Sequence, residues 1–125
     1  MKQESPFKGK TGARRVINAL GYSIDGLRAG WHNEAAFRQV SLLAVVGIII
    51  AFSITLPAWA RAVVIGSHLL TVIVELLNSA IEAAVDHTSL EKHHLAKRAK
   101  DLGSAAQLVC LANLAAMWAL AILGH

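Results

Sequence analysis

The sequence predicts an all-α membrane protein, an N-terminal amphipathic surface helix followed by three transmembrane helices. Three observations carry this prediction. Of the 125 residues, 55% are hydrophobic and 16% are charged, whereas soluble globular domains average about 25% charged. Three apolar runs, at about 36–56, 60–86 and 101–123, each approach or exceed the ~20 residues that cross a hydrocarbon core. The basic residues fall between these runs: Lys2, Lys8, Lys10, Arg14, Arg15, Arg28 and Arg38 precede or open the first, Lys92, Lys97, Arg98 and Lys100 separate the second from the third, and Arg61 alone separates the first from the second.

A basic chain of pI near 9.6 raises the question of nucleic acid. Loops of positive charge interleaved with apolar runs instead follow the positive-inside rule, which places the N-terminus and segment 87–100 in the cytoplasm. The first fifteen residues are polar and basic without an apolar centre, so insertion is expected to rely on the spans themselves. Segment 1–12 lacks apolar periodicity and is expected to be a disordered basic arm near anionic headgroups. Cys110, the single cysteine, excludes an internal disulfide and reads as a small packing residue.

Over 13–33, Ile17, Leu20, Ile24, Leu27 and Trp31 recur at spacings of three, four, three and four, with Arg14, Asn18, Asp25 and Arg28 elsewhere on the wheel. That is the pattern of a helix lying in the membrane interface, Trp31 anchoring its approach to the bilayer, although Gly21, Gly26 and Gly30 weaken it. Pro57 and Arg61 mark the turn between the first two spans. The third span is rich in Ala, with Ser104, Gln107 and Asn113 as its polar members. Its small residues at 103, 105, 106, 112, 115, 116 and 119 favour close helix approach and oligomerisation.

The second span holds the chemistry. It contains His68, Glu75, Asn78 and Glu82, and an ionised carboxylate at the bilayer centre costs about 2.5–3.5 kcal/mol on insertion scales. At ~100° per residue, Glu75, Asn78, Glu82 and Asp86 fall in a sector of about 80° and line one face. Glu82 lies about one turn from the cytoplasmic end, where Glu34 precedes the first span. Two carboxylates meeting there suit a hard cation such as Mg²⁺ together with nucleotide phosphates. Glu75, roughly 10 Å deeper by helical rise, is placed to take a proton from a lipid hydroxyl arriving laterally. The competing structural reading pairs these acids with Arg or Lys to fix helix register, and it weighs most for Asp86.

Segment 86–101 is short and charged. Lys97, Arg98 and Lys100 could neutralise phosphates, the main task in phosphoryl transfer, or could simply be a solvated loop obeying the charge rule. His87, His93 and His94 lack the ligand spacing of a zinc site. The chain has no G-x-x-x-x-G-K-[ST], no G-x-G-x-x-G before a helix and no H-R-D, which excludes P-loop and protein-kinase folds.

The blocks VELLNSAIEAAVD (74–86), RAKDLGSAA (98–106) and GYSIDGLRAGWHNEAAFRQ (21–39) resemble the bacterial integral-membrane diacylglycerol kinase family, with the spacing between blocks intact from about Arg14 onward. The resemblance implies a homotrimeric kinase of the bacterial inner membrane that uses ATP and Mg²⁺ on a lipid alcohol, its active sites shared between neighbouring subunits. It implies Glu75 as general base supported by Asn78, and Glu34 and Glu82 as holders of the metal with ATP. Arg15, Tyr22, Glu91, His93, Lys100 and Asp101 would contact ATP, and Arg15, Trp31, Glu34, Ala35 and Ser104 would border the lipid. Two departures stand out: Lys92 replaces an aromatic and Val40 replaces an acid found in the family. A polyprenol kinase of the same family, an ion-coupled small transporter and a non-enzymatic assembly protein are the competing functions. The transporter predicts flux without nucleotide.

Overall fold

The computed structural model describes residues 11–88 and 94–124. Residues 1–10 of the expected basic arm, and Lys92, Glu91 and His93, lie outside the described residues. Four helices follow one another: α1 (Gly12–Asn33), α2 (Ala35–Ser53), α3 (Ala58–Thr88) and α4 (His94–Leu123). The last three are long and apolar enough to cross a membrane.

Helix α1 begins at Gly12, so the last residue assigned to the arm is already helical. Its stripe is left open by the rest of the chain: Ile17, Leu20, Ile24, Leu27 and Trp31 are all exposed, as a helix lying on lipid requires. The three glycines do not break it. Gly30 lets the Phe37 ring approach, since a Cβ there would stand 3.1 Å from Phe37 Cδ1. Glu34 alone is extended between α1 and α2, at φ −121° and ψ 106°, and its N–H still donates to Gly30 O at 3.0 Å. Arg38 reaches back to fix this bend, Nη1 donating to the carbonyls of Trp31 (2.6 Å) and His32 (3.4 Å). These are terminal carbonyls that α1 itself leaves unpaired.

Helix α2 has 19 residues, about 28 Å at 1.5 Å per residue, close to the hydrocarbon thickness. Phe37, Val40, Ala44, Gly47 and Ala51 form its buried face at spacings of three, four, three and four. It stops at Ser53, three residues before the expected boundary, because residues 54–57 run extended into Pro57. Arg61, from the first turn of α3, satisfies the end: Nε donates to Ala51 O at 2.8 Å and Nη2 to Ile54 O at 3.5 Å, with the guanidinium 5.6 Å from the Phe52 ring centroid.

Helix α3 is the centre of the bundle, packing against both α2 and α4. Helices α3 and α4 have 31 and 30 residues, about 45 Å each, so both exceed the ~30 Å hydrocarbon core. The excess in α4 is at its start, which lies two turns before the expected boundary at 101. Those first turns carry Lys97, Arg98 and Lys100 and stand outside the spanning segment. At the opposite end Ala51, Leu56, Ala60, Val64 and Ala121 form an apolar cluster capped by Ile65 and Trp118.

The small-residue face of α4 is divided. Gly103 is buried, with Gln107, Cys110, Leu114 and Ala121, whereas Ala105, Ala106, Ala112, Ala115, Ala116 and Ala119 are exposed. Most of the alanines therefore point away from this chain's own bundle.

Candidate active site

The polar stripe of α3 is buried inside the bundle. Ser67, His68, Thr71, Glu75 and Asn78 are each at most 8% exposed, because lipid offers no partner for them. Toward the basic end the stripe opens into a cavity of about 390 Å³ lined by Glu34, Ala36, Glu75, Asn78, Glu82, Ser104, Gln107, Leu108 and Leu111. Three separate parts of the sequence build it. The α1–α2 bend brings Glu34, α3 brings Glu75 and Glu82 about two turns apart with Asn78 between them, and α4 brings Ser104 and Gln107.

Glu75 is 5% exposed and accepts a hydrogen bond from Gln107 Nε2 at 3.1 Å. The same nitrogen donates to Thr71 O at 3.0 Å. Asn78 shares the cavity wall; its Oδ1 is buried without a partner and lies over Gly103, where any Cβ would overlap it. Gly103 is thus the position that lets α4 come close enough for Asn78 to fit.

A second cavity, of about 610 Å³, lies between α1 and the next flank of α3, lined by Ser23, Gly26, Leu27, Ala29, Gly30, Asn33, Glu34, Leu76, Ser79, Ala80 and Ala83. It is small-sided and largely apolar. Glu34 borders both cavities, so one carboxylate links the acidic pocket to an apolar cleft on the membrane side of α1.

The sequence-selected residues thus divide. Glu34, Glu75, Asn78, Glu82 and Ser104 converge on the acidic cavity. Ser104 lines that cavity and not the apolar one. Arg15, Tyr22, Trp31 and Ala35 line neither; all four lie in or beside α1 and are exposed. Lys100 pairs with Asp86 at 2.7 Å, tying the start of α4 to the end of α3, and Lys97 pairs with Asp101 at 2.6 Å. The register reading therefore describes Asp86. The hydrogen bond from Lys100 to Asp86, and then the Asp86 charge, hold the ammonium above its usual range. Asp101 raises Lys97 in the same way.

Among the described residues no group of three or more His, Cys, Asp or Glu side chains could enclose a metal ion by itself. The donors fit a different case. Glu34 and Glu82 both line the one cavity, and two carboxylates there would suit Mg²⁺ held by one or two carboxylates plus substrate phosphates. Sequence reading passed over Gln107 as merely a polar member of its span. Its spacing from Gly103, Cys110 and Leu114, of four, three and four, was the available signal that it faces α3.

The geometry agrees with comparisons to known proteins. Residues 21–122 match the family model described as prokaryotic diacylglycerol kinase. A diacylglycerol kinase of Pseudomonas aeruginosa is 55% identical over 120 residues, covering 96% of this chain and 98% of its own length. One from Escherichia coli K12 is 46% identical over 115 residues, covering 92% and 94%. One from Helicobacter pylori J99 is 45% identical over 113 residues, covering 90% and 88%. With nearly its whole length matched and the three acids gathered at one cavity, the chain belongs to the prokaryotic diacylglycerol kinase family.

Proposed function

We propose that this protein transfers the γ-phosphoryl group of ATP to the free hydroxyl of a membrane-dissolved diacylglycerol, giving phosphatidic acid and ADP. The observation that carries the reading is the convergence of Glu34, Glu75 and Glu82 on one cavity in a chain of this family. Glu75 accepts the hydroxyl proton, the alcohol oxygen bonds to the γ-phosphorus, and the bond from that phosphorus to the β–γ bridging oxygen breaks, releasing ADP. The apolar cleft beside Glu34 supports entry of the acyl chains from the bilayer, with the headgroup turned to the acids.

Glu34 and Glu82 would hold Mg²⁺, which when bound offsets the negative charge of the nucleotide phosphates. Lys100 and Asp101, with Arg15, Tyr22, Glu91 and His93, form the proposed nucleotide contacts. Arg15, Trp31, Glu34, Ala35 and Ser104 form the proposed lipid contacts, and Asn78 supports the acids. The exposed alanine face of α4 supports a homotrimer in which neighbouring subunits complete each site. The charge distribution supports an inner-membrane location with the N-terminus and segment 87–100 in the cytoplasm.

The test is phosphate transfer from labelled ATP by purified protein in lipid, with diacylglycerol and a polyprenol offered in parallel. Glu75→Gln is expected to abolish transfer while the protein stays folded and oligomeric. Glu34→Gln and Glu82→Gln are expected to raise the Mg²⁺ requirement by about tenfold or more, the loss of one charged ligand interaction. Unimpaired turnover by Glu75→Gln removes it as the base, and faster transfer to the polyprenol overturns the substrate assignment.

A further inference from the structure

Gln107 is a primary amide 9% exposed in an otherwise apolar stretch of α4. Its Nε2 makes both of its hydrogen bonds to oxygens, Thr71 O at 3.0 Å and Glu75 Oε2 at 3.1 Å. Thr71 O is a backbone carbonyl and can only accept, which fixes the amide's orientation; the flipped form would set Oε1 against that carbonyl. Its Oε1 has no partner within the chain. The side chain is therefore placed for what its nitrogen does, and its oxygen is left over.

What the nitrogen does is tie one carboxylate oxygen of Glu75 to a fixed backbone point one turn earlier on the same helix. Thr71 is itself fully buried and held by its hydroxyl to His68 O at 2.7 Å. With Oε2 engaged, Oε1 is the Glu75 oxygen left to receive a proton.

We propose that Gln107 is a positioning residue for proton acceptance by Glu75, setting the orientation of its carboxyl group. This rests on the reading of Glu75 as base. The other titratable groups facing Glu75 across the cavity are Glu82 on its own helix and Glu34 from the α1–α2 bend; α4 brings no charged side chain to that wall.

The experiment uses the full chain in lipid bilayers with diacylglycerol and Mg-ATP. Gln107→Met keeps the length and removes the donor. Expected are a fall in kcat of about tenfold or more, the loss of one hydrogen bond to a charged group, and KM values for both substrates within about twofold. A role limited to holding α3 to α4 would lower resistance to unfolding and leave kcat of the folded protein unchanged.

Gln107→Glu keeps length and polarity and serves if the apolar variant does not assemble. Its carboxyl can donate to Glu75 only while protonated, so turnover should persist at low pH and fall as the pH rises. An unaltered kcat in folded Gln107→Met, or a pH profile like that of the unaltered protein in folded Gln107→Glu, overturns the proposal. Glu75→Gln separates the two readings: if it is inactive while Gln107→Met is unchanged, the base stands and Gln107 falls; if it is active, the base itself falls.

Discussion

Gly47→Ala places a methyl group at the point where three helices meet. Gly47 is on the buried face of α2, and a Cβ there would overlap Nε2 and Cε1 of the His68 ring. The ring cannot simply withdraw. It is 2% exposed, Nε2 accepts a hydrogen bond from Trp118 Nε1 at 2.9 Å, and the indole stands edge-on at 6.1 Å and 72°. Either α2 and α3 separate, an overpacking cost of about 1–3 kcal/mol, or the ring turns and loses its hydrogen bond, about 0.5–1.5 kcal/mol. Alanine's better helix propensity returns at most about 1 kcal/mol. The variant should therefore be destabilised by about 1–3 kcal/mol, read as a lower SDS mole fraction at the midpoint of reversible unfolding in mixed micelles. His68→Ala removes the obstacle, so in that background the same methyl should cost little, giving a coupling energy of at least about 1 kcal/mol in the double-mutant cycle. Unaltered stability of Gly47→Ala, or costs that simply add, would refute the three-helix stack as a tight contact.

Two further outcomes follow from the ends of the helices. Arg38→Met leaves the Trp31 and His32 carbonyls without their donor; the expected loss is about 1 kcal/mol, with faster proteolysis within α1, and unchanged cleavage would deny Arg38 its role at the bend. Lys100→Met breaks the pair with Asp86. Because that pair raises the lysine above its ordinary value of 10.5, its contribution is fully present below 10.5 and is lost as the pH rises through the raised value. The difference in unfolding midpoint between the two proteins should be small and constant over roughly pH 6 to 9 and vanish only at more alkaline pH; a difference that fades below neutrality would contradict this.

Much of the fold was legible because a bilayer imposes few solutions. Length and hydropathy gave three spans, and the three-four spacing of Ile17 to Trp31 gave a surface helix whose open stripe the structure reproduces. Span ends were less legible: Pro57 was visible in the sequence, but the extended residues 54–57 and the capping of α2 by Arg61 are tertiary effects. In the site, the angular arithmetic of Glu75, Asn78 and Glu82 sufficed, since residues on one helix carry their own geometry. Gln107 did not stand out, because nothing in the sequence of α4 alone says which residue of α3 it faces. Among the small residues counted on α4, only Gly103 is buried within this chain, because residue size alone does not say whether the partner helix belongs to the same copy or to another.

The tie between Gln107 and Glu75 spans 32 residues, and this has a consequence during synthesis. When the second span leaves the ribosome, the amide that will satisfy its deepest acid has not yet been made. Until the last helix emerges, that acid must be sheltered by the insertion machinery or by water, at about 2.5–3.5 kcal/mol on insertion scales. A chain halted before that helix lacks the amide that meets this carboxyl group in the finished bundle.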